Sequence, residues 1–178
     1  MKRVHWPFML LVFCLVMVAC GPEAGTPTSS EMQAPADQEL ALQSLMDFFE
    51  HLSAGRYQEA SQLYGGSYEV LIDQNPALDP QDHAALLRNA CTVNGFQCFR
   101  VRTARLHQQV AAGAEFHFRV EFSTPDGGLF VRGPCCGASE TDMPPQSEFL
   151  FTVTRSKDGE YRVQDLPFYV PQSSNLER

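Results

Sequence analysis

Apolar residues recur with two different periods along this chain, and the period changes near residue 98. Between Asp37 and Ala54, Leu42, Leu45, Phe49 and Leu52 return every three or four residues, with Phe48 beside them. That spacing puts them on one face of a helix. Asp37 is a suitable N-cap and Gly55 a suitable stop. A second, shorter helix is predicted from Tyr57 to Tyr64, with Tyr57, Ala60, Leu63 and Tyr64 on one side and Gly65-Gly66 after it. A third is predicted after Asp79 as cap, with Pro80 at the first helical position, running through Leu86 and Leu87 to about Ala90. The stretch from Ser67 to Ile72 fits either a short strand or an extension of the second helix.

From Cys98 onward the period is two. Phe99 and Val101 open a strand that reaches about Gln108. Phe116, Phe118, Val120 and Phe122 alternate with Glu115, His117, Arg119 and Glu121, which predicts a strand with one apolar and one wet face. Asp126-Gly127-Gly128 reads as a turn into a strand at Leu129-Phe130-Val131. Phe149, Phe151 and Val153 form another alternating face, and Lys157-Asp158-Gly159 turns into Tyr161 and Val163. Pro167 ends that strand or places it at an edge. Helices followed by four or five antiparallel strands describe an α+β fold, with the helices packed on one curved sheet.

The first nineteen residues follow neither period. Lys2 and Arg3 precede an apolar run from Trp6 to Ala19, which is shorter than the roughly 20 residues that cross a bilayer as a helix. A basic start, an apolar core of this length and small residues at its end describe an export signal. The signal ends Met17-Val18-Ala19-Cys20-Gly21, which resembles the lipobox of bacterial lipoproteins, with Met17 where Leu is commoner. The resemblance implies cleavage before Cys20, a diacylglycerol thioether on its sulfur and an acyl chain, such as palmitate, on its amino group. Two or more acyl chains hold a protein on a membrane far better than one, at about 0.8 kcal/mol per buried methylene. The expected location is therefore the extracytoplasmic side of the cell membrane or, in a diderm cell, the outer membrane.

Residues 20–37 read as a lipid-anchored flexible tether. They are dominated by small, polar and Pro residues, and seventeen of them extend to at most roughly 60 Å. Residues 38–170 form the α+β domain, and 171–178 a C-terminal tail. Removing 19 of 178 residues leaves 159, enough for one domain. Lys2 and Arg3 leave with the signal, so the formal charge moves from −8 to −10. That balance argues against nucleic acid as a partner. The expected partners are the membrane, through lipid on Cys20, and a protein or small ligand; a second copy of the chain is a further candidate.

The run Phe48-Phe49-Glu50-His51-Leu52-Ser53-Ala54-Gly55-Arg56-Tyr57-Gln58-Glu59-Ala60 resembles the opening of nuclear transport factor 2-like domains, which have a cystatin-like cone fold. The resemblance extends in element order over roughly residues 38–170. It implies a curved sheet wrapped around the helices. Relatives acting on small molecules, such as ketosteroid isomerases and polyketide cyclases, carry Asp, His or Tyr inside the cone, and no motif here carries those residues across. The chain also resembles uncharacterised bacterial lipoproteins in Cys-Thr-Val-Asn-Gly at 91–95 and Gly-Pro-Cys-Cys-Gly at 133–137, which implies no activity.

Cys14 goes with the signal, and Cys20 takes the lipid. Cys91, Cys98, Cys135 and Cys136 remain, an even number in an oxidising compartment, and are disulfide candidates. Pairing Cys91 with Cys98 closes a loop of about eight residues, worth roughly 2.5 kcal/mol. It leaves Cys135 and Cys136 to form a strained adjacent bridge or stay reduced. Linking Cys91 and Cys98 to Cys135 and Cys136 avoids that strain, closes loops of about 40 residues and is worth roughly 4 kcal/mol per bridge. We favour the cross-linked arrangement and keep the local pairing open. Zinc on four thiolates is disfavoured by the spacing, so no metal and no cofactor is expected.

Among the remaining candidates, His51, His83, His107 and His117 read as solvated side chains, and no nucleophile elbow, phosphate loop or zinc-protease motif occurs. The inward stripes Phe49, Phe116, Phe118, Phe149 and Phe151, with Asp165 on the last strand, are the residues that would line a pocket between helices and sheet. Plain core packing is the reading favoured over a pocket for the phenylalanine stripes. The leading expectation is a membrane-tethered, non-catalytic binding or interaction module. The runner-up is a small-molecule carrier or enzyme using that pocket.

Overall fold

The structure is a computed structural model that describes residues 29–135 and 137–170. The signal segment 1–19, Cys20 and the tail 171–178 lie outside the described residues. Four helices come first: α1 (Ser29–Ser53), α2 (Tyr57–Leu63), α3 (Glu69–Gln74) and α4 (His83–Thr92). Four strands follow: β1 (Arg100–Val110), β2 (Glu115–Ser123), β3 (Phe149–Arg155) and β4 (Tyr161–Val163). They form one antiparallel, open sheet in the order β1-β2-β3-β4, so β1 and β4 are its edges. The fold is α+β.

The core joins one face of α1 to one face of the sheet. Ala41, Leu45, Phe48, Phe49 and Leu52 are buried on the helix side, and Phe116, Phe118, Val120 and Phe122 on β2 meet them. Phe151, Val153, Tyr161 and Val163 continue the buried face across β3 and β4. Each large apolar side chain removed from water contributes roughly 1.5–3 kcal/mol. Polar ties set the helix against the far edge: the Ser44 hydroxyl donates to the Tyr161 carbonyl at 2.6 Å, and the Tyr161 hydroxyl to the Gly113 carbonyl at 2.8 Å. Asn75 joins α3, α4 and the turn after them, donating to the Leu71 carbonyl and the Asn94 side chain and accepting from Asn89.

Several element boundaries differ from expectation. Helix α1 begins at Ser29, so residues 29–37, expected in the tether, are helical. Asp37 lies inside it rather than capping it; it is 9% exposed, with its carboxylate 3.9 Å from the Arg155 guanidinium. The undecided stretch after residue 67 contains helix α3. Asp79 does not cap the next helix, because its carboxylate accepts from the Gln81 amide in a preceding turn. Asp82 takes that role, accepting from the Ala85 amide at 2.9 Å. Leu129-Phe130-Val131 is no strand; this part of the long β2–β3 connection pairs with its neighbours through the isolated bridges Ser123–Leu129 and Arg132–Gln146, while the Phe130 ring packs on Phe99 and Phe168.

Two glycines are required by geometry. Gly55 turns the chain from α1 into α2 at φ +73°, a left-handed conformation that side chains disfavour. Gly66 passes so close to the last strand that a Cβ there would sit 2.1 Å from the Gln164 carbonyl oxygen.

Candidate functional site

Phe49, Phe116, Phe118, Phe149 and Phe151, which the sequence offered as core packing ahead of pocket lining, are buried in the core. Phe49 packs against Phe122 at 4.8 Å between ring centroids, against Phe151 at 4.9 Å and against Phe48 at 5.1 Å. Phe116 meets Phe118 at 6.2 Å and Tyr161 at 5.7 Å. Phe149 lies further along the sheet, stacked on Phe168 at 4.2 Å and 5.9 Å from Phe130. Alternation along β2 and β3 aims these rings inward, and the inward-facing stripe of α1 closes the space they would otherwise border. Asp165 is half-buried and accepts a hydrogen bond from the Thr152 amide at 2.6 Å, so its carboxylate completes the β3 ladder where β4 ends.

Concave surface occurs elsewhere, at the C-terminal end of α1. One cleft of about 280 Å³ is lined by Ser53, Ala54, Cys98, Phe99, Arg100 and the Ser123–Pro125 turn. A neighbour of about 290 Å³ shares Ser53, Cys98, Phe99 and Pro125 with it and adds Tyr57, Cys91 and Gly95. A third, of about 320 Å³, lies along the seam between α1 and β1 and is lined by Met46, Asp47, Glu50, Arg100 and Val101. None of these three contains Phe49, Phe116, Phe118, Phe149, Phe151 or Asp165.

A disulfide lines the second cleft, and its Cys98 also lines the first. Cys91 in the last turn of α4 bonds to Cys98 just before β1, with Cα atoms 5.5 Å apart, inside the range a bridge requires. This overturns the favoured cross-linking to Cys135 and Cys136. The residues between Cys91 and Cys98 fold back on themselves, with the Phe96 amide donating to the Ala90 carbonyl, and this brings the two thiols together locally. Cys135 is half-buried, and its amide donates to the Met143 sulfur at 3.3 Å. Cys136 lies outside the described residues. A second strip is tied to the bridged loop: the Gln97 amide donates to the Phe168 carbonyl at 3.0 Å and the Val170 amide to the Gly95 carbonyl at 3.1 Å.

Charge at this end is organised by Glu50. Its two carboxylate oxygens accept from Arg100 at 2.7 and 2.9 Å, a bidentate pair, and Arg56 stands 3.6 Å away. The Arg100 hydrogen bond holds the Glu50 carboxyl below its ordinary range, and Glu50 in turn raises Arg100. The Arg56 guanidinium donates to His51 Nδ1 at 2.8 Å. The Ser53 hydroxyl donates to the Glu50 carbonyl, so it is turned away from any base. These groups hold and orient; the described cleft residues pair no nucleophile with a general base.

The other histidines are likewise engaged. His107 Nδ1 accepts from Arg119 at 3.2 Å, and His117 Nε2 lies 2.6 Å from the Glu115 carboxylate on the wet face of the sheet. His83, expected to be solvated, is half-buried with its ring stacked on Tyr68 at 3.9 Å, because α4 starts against the turn that carries Tyr68. Tyr68 also meets Tyr64 edge-on at 4.9 Å. Its buried hydroxyl has no hydrogen-bond partner among the described residues, and burial pushes its pKa up to about 12. Burial, then the neighbouring Tyr68 and Asp165, push Tyr64 up further. The pairing was not legible in the sequence, where Tyr64 read as part of the second helix's apolar side and Tyr68 lay in the undecided stretch after it.

Among the described residues no group of three or more His, Cys, Asp or Glu could hold a metal ion, and no helix is long and apolar enough to cross a membrane. Comparison of the chain with protein-family models, with curated proteins and with solved structures finds no match.

Proposed function

We propose that this chain is an exported lipoprotein, held by lipid on Cys20, whose α+β domain is a non-catalytic interaction module on the extracytoplasmic face of a membrane. The observation that carries the non-catalytic part is the filled interior. The rings that would have lined a small-molecule pocket are buried against one another at centroid distances of 4.8 to 6.2 Å. A ligand there would have to displace core side chains, each worth kilocalories of stability. The exported location is supported by the lipobox-like Met17–Cys20 segment behind a basic, apolar leader, and it fits the Cys91–Cys98 disulfide, a bond that persists in oxidising compartments. Helices followed by one antiparallel sheet is the element order expected of a nuclear transport factor 2-like cone, and it supports that architecture for the domain.

Fractionation of cells making the wild-type chain and Cys20→Ser tests the anchor. The wild type is expected in the membrane fraction and the variant released from it; equal membrane retention would refute the assignment. Native mass spectrometry of the purified protein tests the filled interior. The expected mass is that of the lipidated polypeptide alone, and a stoichiometric small molecule retained in both samples would refute the non-catalytic reading.

A further inference from the structure

We propose that the free edge of β1 is the partner-binding surface of this module and that it receives an extended, acidic segment of another protein as an added strand. The inference rests on the interaction-module reading and names the partner class. Strand β1 is eleven residues long and pairs with β2 alone. Its other edge meets no strand among the described residues, and Arg105 through Gln109 are exposed in succession, so the strand is open on both faces there. An edge of this kind offers a row of backbone donors and acceptors to an incoming strand.

The side chains say what that strand should be. Arg100–Val110 contains Arg100, Arg102, Arg105 and His107 and no Asp or Glu, in a chain of net charge −8. The register puts Arg100, Thr103, Arg105 and Gln108 on the outer face, opposite Ser123, Glu121, Arg119 and His117. Arg105 is 69% exposed and only loosely paired, 4.0 Å from Glu121 and 3.7 Å from Glu148. Arg102 donates to the Gly127 carbonyl at 3.2 Å and has no carboxylate within ion-pair distance among the described residues. The inner face is different. Val101, Ala104 and Leu106 lie opposite Phe122, Val120 and Phe118, yet Leu106 remains 38% exposed. Helix α1 meets this strand at its start, where Glu50 is bonded to Arg100, and crosses toward β3 and β4, where Asp37 faces Arg155 and Ser44 bonds to Tyr161. It contributes Met46, 36% exposed, to the cleft that opens next to Val101. An added strand would place alternate side chains over the arginines and over this apolar rim. The matching sequence alternates acidic and apolar residues.

A second copy fits the same edge less well. Antiparallel self-pairing centred on β1 brings the two Arg105 side chains opposite one another, and like charges facing across a sheet are destabilising. Register irregularities between Val101 and Thr103 and between Leu106 and Gln108 further disfavour a regular self-paired edge.

The test uses the isotopically labelled full chain in detergent and two synthetic probes, one peptide of four Glu-Val repeats and one of four Lys-Val repeats. Binding and amide shifts are read by nuclear magnetic resonance. The Glu-Val peptide is expected to shift the amides of β1 and to bind at least about tenfold more tightly than the Lys-Val peptide, by complementary charge. The advantage should shrink as salt screens charges beyond about 8 Å. The double variant Arg102→Glu/Arg105→Glu, both exposed, should keep the core spectrum and lose that preference. Equal affinity for both peptides, shifts confined to other surfaces, a preference untouched by charge reversal, or self-association through β1 without peptide would each overturn the edge site. Those outcomes leave the interaction-module reading standing, because it fails on the separate Cys20→Ser and native-mass tests.

Discussion

Replacing Phe49 by Ala distinguishes a filled core from a pocket. Phe49 is fully buried and its ring lies within 5.1 Å of three other phenylalanine rings, counted between centroids. Removing a ring from such a site costs the lost transfer free energy plus a cavity term, together about 3–5 kcal/mol. Domains of this size are stable by roughly 5–15 kcal/mol, so the variant should still fold. With a urea slope of about 2 kcal/mol/M, a loss of about 4 kcal/mol lowers the unfolding midpoint by about 2 M. Circular dichroism is the appropriate readout, since the only tryptophan, Trp6, lies in the leader expected to be removed. Leu150→Ala serves as the control: this side chain is 52% exposed on the outer face, and its truncation should change stability by less than about 0.5 kcal/mol. A Phe49→Ala cost below about 1 kcal/mol would mean that the ring borders a void, and the closed-interior account would fail.

Three other perturbations follow from the same structure. The double variant Cys91→Ala/Cys98→Ala should lower stability by about 2.5 kcal/mol in urea titration, the chain-entropy cost of opening an eight-residue loop, and no change would remove the bridge from the account. Tyr68→Phe deletes a buried hydroxyl with no described partner and should raise stability by about 1 kcal/mol; a loss of that size would reveal a hidden partner. Tyr68 ionises near 10 when unfolded and near 12 when folded, so the unfolded chain holds fewer protons in between. Stability should therefore fall between about pH 10 and 12 in the wild type, and less steeply in Tyr68→Phe. Gly66→Ala would press a methyl group against the Gln164 carbonyl oxygen and should cost more than about 2 kcal/mol by thermal denaturation, with a neutral result contradicting the close approach.

Much of the fold was legible where one period ran uninterrupted. The alternation from Phe116 to Phe122 marked β2 because a strand buried on one face admits nothing else there. The ends of elements were harder. Asp37 and Asp79 both have the side chain of a helix cap, yet one meets Arg155 across the fold and the other closes a turn. Which role an Asp takes depends on neighbours far away in sequence. Helix α3, six residues long, is too short for its apolar residues to show a period. The cysteine pairing turned on chain reversal between α4 and β1, which spacing alone does not reveal. The inward stripes were legible, but whether they enclose space or fill it depends on how closely α1 approaches the sheet. The open edge of β1 could not be read at all, since strand order is a property of the assembled sheet.

The central claim, a lipid-anchored extracytoplasmic module, meets its most direct test in mass spectrometry of the N-terminal peptide of the protein isolated from its own cell. The account predicts a peptide beginning at Cys20, with a diacylglycerol thioether on the sulfur and an acyl chain on the amino group. A peptide that retains residues before Cys20, or one that carries an unmodified Cys20 thiol, would contradict it.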